Sequence, residues 1–316
     1  MEFWLAPLHG ITNYHFRNCL NRHVEGLSMA VAPFLPVVDK AQALKRSWTD
    51  ILPENNPIDS VIPQLMGNKP EQFVCTINAL QPFGYQRFNW NIGCPSAQVV
   101  RHQRGCGLMP HPDKVEAVVQ RVTHETDCRF SVKMRLGLHS PDEGLAIIDR
   151  LNRYPLDFIA VHPRLGTQHY EGEPDFVHFR KLQQQCRHPL IYSGDITDPT
   201  SFKKISALFP DITIFMLGRG ILRNIFLAED LTSQKCVPDS GRILRFKAFH
   251  DDFVQTMIPV RGEHGTLSNL KELWHYFAIF FKLPPESLLH LLRTTELKDF
   301  LDITEKVMSH AIESGN

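Results

Sequence analysis

Eight short apolar segments, separated by stretches long enough for a helix, constrain the fold of this chain more than any other feature. The segments are residues 3–6, 28–32, 61–66, 88–92, 130–136, 158–162, 190–193 and 213–217. Alternating strands and helices predict parallel strands joined by crossover helices. Eight such units within about 235 residues predict an α/β fold, the (β/α)8 TIM barrel, whose usual length is roughly 250 residues. A doubly wound sheet is the alternative, although it does not require eight evenly distributed strands.

The pattern changes near residues 236–241, a short segment with proline, serine and glycine, beyond which the sequence is typical of helices. Such clusters often mark linkers between domains. We therefore predict a catalytic barrel domain at 1–237 and a C-terminal helical domain at 238–316. The aromatic residues at 274, 277, 280 and 281 are expected to lie in the core of this tail rather than to form a stacking surface.

Composition restricts the class of protein. Lys plus Arg equal Asp plus Glu at 34 each, so no overall positive field indicates a nucleic-acid partner. The seven cysteines form no CxxC pair, which is typical of reduced thiols and predicts a cytoplasmic protein. No segment approaches the roughly 18 apolar residues of a membrane span, so no membrane partner is expected. Nothing implies a stable protein partner, and we expect a monomer.

The fourth strand-like segment ends in a turn that carries a single cysteine. Asn89 and Asn91 share one face of the strand, where a central strand would normally bury apolar groups. Gly93 permits an unusual turn, which leaves the thiol of Cys94 on a loop at the C-terminal end of the strand. The position favours a chemical role for Cys94, and a buried free cysteine is the alternative.

Other polar side chains fall at the same end of neighbouring strands. Gln64, Lys133 and His162 have the inward parity of their strands, and Arg135 and Arg164 follow two residues after Lys133 and His162. TIM-barrel active sites lie at the C-terminal ends of the strands. A core histidine or a rim arginine explains each residue alone, but together they predict a polar, planar ligand.

The last two strands indicate a phosphate on that ligand. Ser193, Gly194 and Asp195 follow the seventh strand, and Gly218 and Arg219 follow the eighth. Barrels commonly bind phosphate there, although ordinary turns would also contain such glycines. A phosphorylated planar ring predicts flavin mononucleotide (FMN), with Lys133 stabilising the charge of its reduced form. No GxGxxG follows a strand, so a bound Rossmann-type dinucleotide is not expected.

These segments together resemble the tRNA-dihydrouridine synthases, flavin-dependent reductases of uridine in tRNA. The resemblance covers nearly the whole chain. Its motifs are residues 5–13, 64–68, 91–107, 133–137, 162–172, 193–196 and 218–220, of which 91–107 and 133–137 are highly specific. Ser193 stands where the family usually has Asn, and Pro163 where it usually has Gly.

The resemblance implies a role for each motif. FMN would contact Pro7, Gln64, Lys133 and His162, with its phosphate around Ser193, Gly194, Asp195, Gly218 and Arg219. Hydride would pass from flavin N5 to C6 of uracil, and Cys94 would protonate C5 as the general acid. Asn91 would hold the uracil edge, the loop 101–107 would close over the base, and NADPH would reduce the flavin.

The same resemblance implies a tRNA partner gripped by the helical tail. From residue 236 onward the tail has nine Lys and Arg against eleven Asp and Glu, whereas the family's tail is usually more basic. Two explanations are open: a local cluster at Arg242, Arg245 and Lys247, or a grip at the barrel mouth. The mouth candidates are Arg101, Arg104, Arg135 and Arg164, and the tail candidate is Lys271.

Two other functions fit parts of the sequence. A flavin barrel reductase of a small pyrimidine or enone would share the cofactor contacts but would not need the helical tail. A non-catalytic tRNA-binding protein would not need Cys94. A zinc hydrolase fits poorly, because the sixteen histidines include no HExxH, and we predict no metal site.

Overall fold

The computed structural model describes residues 1–40, 48–233 and 240–314 of the chain. Contacts between residues divide it into two compact units. The barrel unit comprises Met1–Pro7, Ser28–Gly194 and Ser206–Met216, and the helical unit comprises Leu8–Leu27, Asp195–Ile205 and Leu217–Asn316. The domain boundary predicted between residues 237 and 238 lies outside the described residues, as does Cys236, so it stays a prediction.

The barrel unit is built on one sheet. Its strands are β1 (Glu2–Leu5), β2 (Leu27–Val31), β3 (Leu35–Pro36), β4 (Val61–Ile62), β5 (Gln64–Met66), β6 (Arg87–Ile92), β7 (Arg129–Gly137), β8 (Ile159–Leu165), β9 (Leu190–Ser193) and β10 (Ile214–Leu217). Their order in the sheet is β3-β5-β6-β7-β8-β9-β10-β1-β2-β4. Eight segments match the predicted strands, with β4 and β5 as two halves of the third, and β3 is an additional short strand.

Pro63 explains why the third strand is split. Proline has no backbone N–H and interrupts a ladder of hydrogen bonds. The first half, β4, pairs with β2, and the second half, β5, pairs with β6 and β3. Only Pro63 separates β4, at one edge of the sheet, from β5, which lies next to the other edge strand β3, so the sheet closes on itself. The TIM-barrel prediction is confirmed.

The barrel interior is filled by side chains from successive strands. Trp4, Val31, Ile62, Ala160, Ile191 and Met216 belong to one buried cluster that also contains Phe158. Trp4 and Phe158 meet edge to face at 5.3 Å between ring centroids, and the guanidinium of Arg87 lies over both rings. This interior is a packed core, so the polar residues beyond it at the strand ends form a separate layer.

The helices in the described part of the chain are α1 (Tyr14–His23), α2 (Pro70–Leu80), α3 (Ala97–Arg101), α4 (Pro112–Glu125), α5 (Pro141–Leu151), α6 (Phe176–Gln185), α7 (Pro199–Leu208), α8 (Arg219–Arg223), α9 (Leu227–Ser233), α10 (Ser240–Phe280), α11 (Pro285–Arg293) and α12 (Leu297–Ser314). Local sequence sets several starts. Ser140 caps α5 and Asp175 caps α6, each accepting a backbone N–H of the first turn.

The helical unit has an aromatic core. Trp274 and Phe277 on α10 are buried and pack with Phe246 and Phe249 from its first half, as predicted for the aromatic stripe. α10 changes direction at Gly262, whose φ of 66° is left-handed, so its two arms are separate helices.

No helix in the described residues is long and apolar enough to cross a membrane.

Candidate active site

The register of the strands places the predicted polar residues side by side at one end of the barrel. Gln64 pairs with Asn89, which pairs with Ser131, and this row lies deepest. Asn91 pairs with Lys133 one step nearer the C-terminal ends. Partners in a parallel register face the same side of the sheet. These side chains therefore lie on the inner face of the barrel, as their positions along the strands predict.

A further step along the strands, Arg135 pairs with His162. Lys133 itself pairs with Ala160, which has a small side chain. The barrel mouth thus carries cationic and imidazole groups above a row of amides.

A chain of hydrogen bonds links the amides across three strands. The Nδ2 of Asn89 donates to Ser131 Oγ at 2.9 Å, and the Nε2 of Gln64 donates to Asn89 Oδ1 at 2.7 Å. The Nδ2 of Asn91 donates to Gln64 Oε1 at 2.9 Å. Gln64 and Asn89 are fully buried, and the chain satisfies their polar groups as burial requires. The sequence predicts no role for Asn89 or Ser131, although the alternation of residues along their strands predicts that both side chains face the barrel interior.

The same chain continues to the Cys94 turn. The backbone N–H groups of Gly93 and Cys94 both donate to Asn91 Oδ1, at 3.0 and 2.9 Å. The carbonyl of Gly93 accepts from Arg135 Nε at 3.1 Å, and the carbonyl of Cys94 accepts from the N–H of Cys106. A Cβ on Gly93 would lie 3.2 Å from the backbone of Met134, so the turn packs closely on β7. These contacts fix the half-buried thiol of Cys94.

Lys133 is a partly buried cation near Cys94. Among the residues that the structure describes, no carboxylate forms an ion pair with its ammonium. Burial, and then repulsion by Arg135, lower the pKa of Lys133 to about 8, while Cys94 acts in the opposite direction. An ammonium in such a place is suited to an anionic or electron-rich ligand.

Arg135 and Arg164 are almost completely buried, with 2% and 4% exposure. Arg135 donates to the carbonyls of Gly93 and Leu165, and Arg164 donates through Nε and Nη2 to the carbonyl of Gly172. In this conformation both guanidiniums hold loops at the mouth. Their assignment as RNA contacts stays a prediction.

The contacts of His162 define which ring nitrogen carries the proton when the imidazole is neutral. Its Nε2 lies 3.1 Å from Nη1 of Arg164, and an arginine can only donate. Nε2 is therefore the acceptor, and the neutral ring carries its proton on Nδ1. A Cβ on Gly194, whose φ is 129°, would lie 2.5 Å from the ring of His162. Only glycine fits between β9 and this ring.

Tyr170 is an exposed aromatic residue at the mouth that the sequence gave only as part of a motif. Its ring is 47% exposed and lies 5.3 Å from the guanidinium carbon of Arg135. The ring centroid is 6.3 Å from that of His162. The loop that carries it is fastened by Arg164 at the carbonyl of Gly172.

The residues predicted around phosphate fall in both units. Ser193 is buried at the end of β9, and Gly194 follows it in the barrel unit. In the helical unit, Asp195 has a φ of 51° and its carboxylate accepts from Arg219 Nη2 at 3.0 Å. Gly218 is the N-cap of α8. Pro7, the last barrel residue before Leu8, is half-buried.

The segment predicted to close over the base is well anchored. The Nδ2 of Asn68 donates to the carbonyls of His102 and Gln103, and Lys114 donates to the side chain of Gln103. Arg101 at the end of α3 is exposed. Cys106 is buried, and burial raises the pKa of its thiol to about 12, which suits a structural cysteine.

The predicted tail residues are engaged within the helical unit. Lys271 Nζ donates to the carbonyl of Thr294, which follows α11, at 2.5 Å. Arg242 pairs with Asp230 and Arg245 with Glu229. Lys247 pairs with Asp251 and Glu305. The local cluster suggested at 242, 245 and 247 is thus neutralised by carboxylates.

Comparison with known families decides between the candidate functions. The model of the Dihydrouridine synthase (Dus) family matches residues 4–287 of the chain. The chain belongs to the dihydrouridine synthase family.

Curated relatives agree with this family. tRNA-dihydrouridine synthase B of Yersinia pestis is 29% identical over 68% of this chain and 66% of that protein. The Pasteurella multocida protein of the same name is 24% identical over 73% and 69%. A tRNA-dihydrouridine(16) synthase of Pseudomonas putida is 26% identical over 79% and 78%. The chain spans about two thirds of the length of the first two relatives.

Solved structures share the fold of this dihydrouridine synthase family member. An old yellow enzyme homologue from Zymomonas mobilis superposes with a TM-score of 0.53 at 11% identity, covering 75% of this chain and 89% of that one. A morphinone reductase variant in complex with tetrahydroNAD gives 0.52 at 9%, covering 76% and 89%. At such identities the likeness concerns the barrel fold alone.

Membership of the family does not favour the small-molecule reductase or the non-catalytic RNA-binding protein.

Proposed function

We propose that this protein reduces the C5–C6 double bond of specific uridines in tRNA to 5,6-dihydrouridine, using bound FMN and NADPH as the reductant. The observation that carries the proposal is the fastening of the Cys94 turn by Asn91 and Arg135 beside Lys133, whose ammonium has no carboxylate partner among the described residues. A preorganised thiol next to a cation at a barrel mouth suits protonation of a carbanion-like centre.

The residues at the mouth fit a flavin. Lys133 is a partly buried cation without a carboxylate partner in the described chain, and such a group stabilises negative charge on a ring. The contact of Gly194 with His162 leaves no room for a side chain at the end of β9. Lys133, His162, Gln64 and Pro7 would hold the ring, and Ser193, Gly194, Asp195, Gly218 and Arg219 its phosphate. Bound FMN would supply hydride from N5 to C6 of uracil.

Cys94 would act as the general acid of the reaction. As C6 accepts hydride, negative charge develops at C5 and O4 of the uracil, and the Cys94 thiol gives its proton to C5. A proton from solvent then restores the thiol.

Asn91 would have two functions in this scheme. Its Oδ1 holds the Cys94 turn, and its Nδ2 carries a second hydrogen beyond the one given to Gln64, which is available to a uracil carbonyl. Tyr170, exposed beside Arg135, would border the entrance through which the base arrives. The base must leave the folded RNA to reach a barrel mouth. Arg101, exposed at the end of α3, would contact the RNA backbone.

Replacement of the acid tests the proposal. We expect Cys94→Ala to retain FMN and to accept electrons from NADPH, but to reduce uridine in tRNA at least a hundredfold more slowly, in the range of lost general acid catalysis. Cys75→Ala, which removes a thiol from α2, is the matched control and should be normal. The measurement is dihydrouridine formed per mole of enzyme. Wild-type rates from the Cys94 variant would show that another group protonates C5.

A further inference from the structure

Arg164 directs its guanidinium into the protein rather than to the surface. Its side chain is almost completely buried, and Nε and Nη2 donate to the carbonyl of Gly172 at 3.2 and 2.6 Å. Its Nη1 lies 3.1 Å from Nε2 of His162. Each nitrogen of the guanidinium therefore has an acceptor within the barrel unit, and the function of Arg164 lies with these neighbours.

The strand that carries Arg164 fixes its position relative to His162. The two residues lie two apart on β8, so their side chains share one face. Pro163 between them holds its own φ near about −65°. Its carbonyl also accepts from the N–H of Asp175 at 2.7 Å. The residue that stands where the family usually has glycine thus stiffens the backbone between the imidazole and the guanidinium.

One edge of the His162 ring is enclosed by Arg164 and Gly194. A Cβ on Gly194 would lie 2.5 Å from Cδ2 and 2.8 Å from Nε2 of the ring, and Arg164 donates to that same Nε2. A doubly protonated imidazole has no acceptor to offer an arginine. The contact therefore requires a neutral ring, and the proton on Nδ1 is the polar hydrogen that this ring can donate.

We propose that Arg164 is a positioning residue of the active site, which holds His162 neutral with its proton on Nδ1 and so makes it a hydrogen-bond donor to the flavin ring. This inference rests on the proposed function, because it concerns the FMN contact assigned there to His162. A donor stabilises the electron-rich, reduced ring more than the oxidised ring. Arg164 acts on that ring through His162.

The shape of the guanidinium matters here as well as its charge. A lysine would supply one charged nitrogen, whereas the planar fork of Arg164 reaches Gly172 and His162 at once in fixed directions. Gly172 belongs to the loop that carries Tyr170, whose ring centroid lies 6.3 Å from that of His162. Arg164 therefore also joins this loop to the imidazole.

The tautomer is measured directly by ¹⁵N NMR of the full-length protein, with and without FMN. Protonated and unprotonated ring nitrogens have distinct signals, and those of His162 are identified by their loss in His162→Gln. We expect wild-type protein to show a protonated Nδ1 and an unprotonated Nε2. In Arg164→Met, which has a similar length without the donors, the proton should distribute between both nitrogens. A proton on Nε2 in wild type, or an unchanged spectrum in Arg164→Met, would overturn the inference.

The second readout is the reduction potential of bound FMN. Arg164→Met should weaken the preference for reduced over oxidised FMN about tenfold, which lowers the potential by about 30 mV. Arg121→Met on α4 removes a half-exposed arginine that pairs with Glu125, and as the control it should leave the potential and the His162 signals unchanged.

Arg164→Lys distinguishes geometry from charge. A lysine can donate to His162 or to Gly172 but does not reproduce the fork, so it should restore the wild-type readouts only in part. Full restoration of the potential without restoration of the tautomer would show that charge alone acts on the flavin, and would contradict a positioning role.

These readouts separate this inference from the proposed function. If Arg164 sets the tautomer and the potential but the protein forms no dihydrouridine, only the proposed reaction fails. If dihydrouridine forms while Arg164→Met keeps the wild-type tautomer and potential, only the role of Arg164 fails. Wild-type protein that binds no FMN would contradict both.

Discussion

At the scale of single residues, the site is dominated by Lys133, a cation that the fold partly buries. Burial and Arg135 together lower its pKa to about 8, so it is charged at neutral pH but close to losing its proton. A ligand that carries negative charge favours the protonated form. The ammonium is therefore present below about pH 8 and is lost as the pH rises through that value.

The loss of the Lys133 charge above about pH 8 predicts how the affinity for FMN depends on pH. If only the protonated form of Lys133 binds FMN well, the affinity for FMN should be constant from pH 6.5 to about 7.5 and fall toward tenfold per pH unit above about pH 8. Fluorescence titration of the apoprotein measures it. Lys133→Met should bind weakly at every pH without the alkaline decline. An identical decline in that variant would assign the titration to another group.

Gly194 shows how one backbone position can govern the site. Gly194→Ala must place a Cβ in a left-handed conformation and displace the ring of His162, so we expect a loss of about 2–4 kcal/mol of unfolding free energy and reduced FMN content.

Gly84→Ala is the control for that substitution. Its φ of 98° imposes similar backbone strain, but its nearest neighbour would be Ile58 at an ordinary 3.4 Å. Urea unfolding and the flavin absorbance of both variants measure the difference. Equal losses would mean that the contact with His162 is unimportant.

At the scale of elements, the hydrogen-bonded chain from Ser131 through Asn89, Gln64 and Asn91 joins three strands to the Cys94 turn. It explains why amides replace apolar residues in the strands β5 and β6. Each amide is satisfied by the next, so the polar row can be buried and still support the Cys94 turn.

Removal of one member should therefore be costly. Asn89→Ala leaves Gln64 Nε2 without its acceptor in a buried position, and we expect a loss of about 1–3 kcal/mol in chemical denaturation. Asn78→Ala on the exposed face of α2 should change stability by less than about 0.5 kcal/mol. If the two variants were equally stable, solvent or a rearranged amide would have to satisfy Gln64.

Sequence periodicity was sufficient to predict these elements, since parity alone placed Gln64, Lys133 and His162 inside the barrel. It could not show that Pro63 splits a strand or that Leu35–Pro36 adds one, because such short pairings depend on neighbours distant in the chain. It also could not show that Arg135 and Arg164 hold carbonyls of loops, which depends on how those loops fold.

At the scale of the whole molecule, positive and negative charges are equal in number, and several cations are neutralised by nearby carboxylates. Residues that the sequence suggested for the tail grip, Arg242, Arg245 and Lys247, are ion-paired within the helical unit. Net charge is a sum and does not reveal which cations already have partners. Exposed cations elsewhere, such as Arg101 at the end of α3, remain available for phosphate.

The balanced formal charge of the chain predicts a shallow salt dependence of tRNA binding. We expect the slope of log affinity for tRNA against log salt to lie near −2 to −3, corresponding to about three or four phosphates at roughly −0.7 each. Filter binding between about 0.05 and 0.3 M salt measures it. A slope of −6 or steeper would require many more phosphate contacts and contradict this account of the neutral charge.

The most direct test of the central claim is to map dihydrouridine by mass in unmodified tRNA after incubation with the purified protein, FMN and NADPH. The account predicts a gain of two hydrogens at particular uridines, and the position of the gain would name the target. No gain from protein that carries flavin and oxidises NADPH would contradict it and point to a small-molecule substrate.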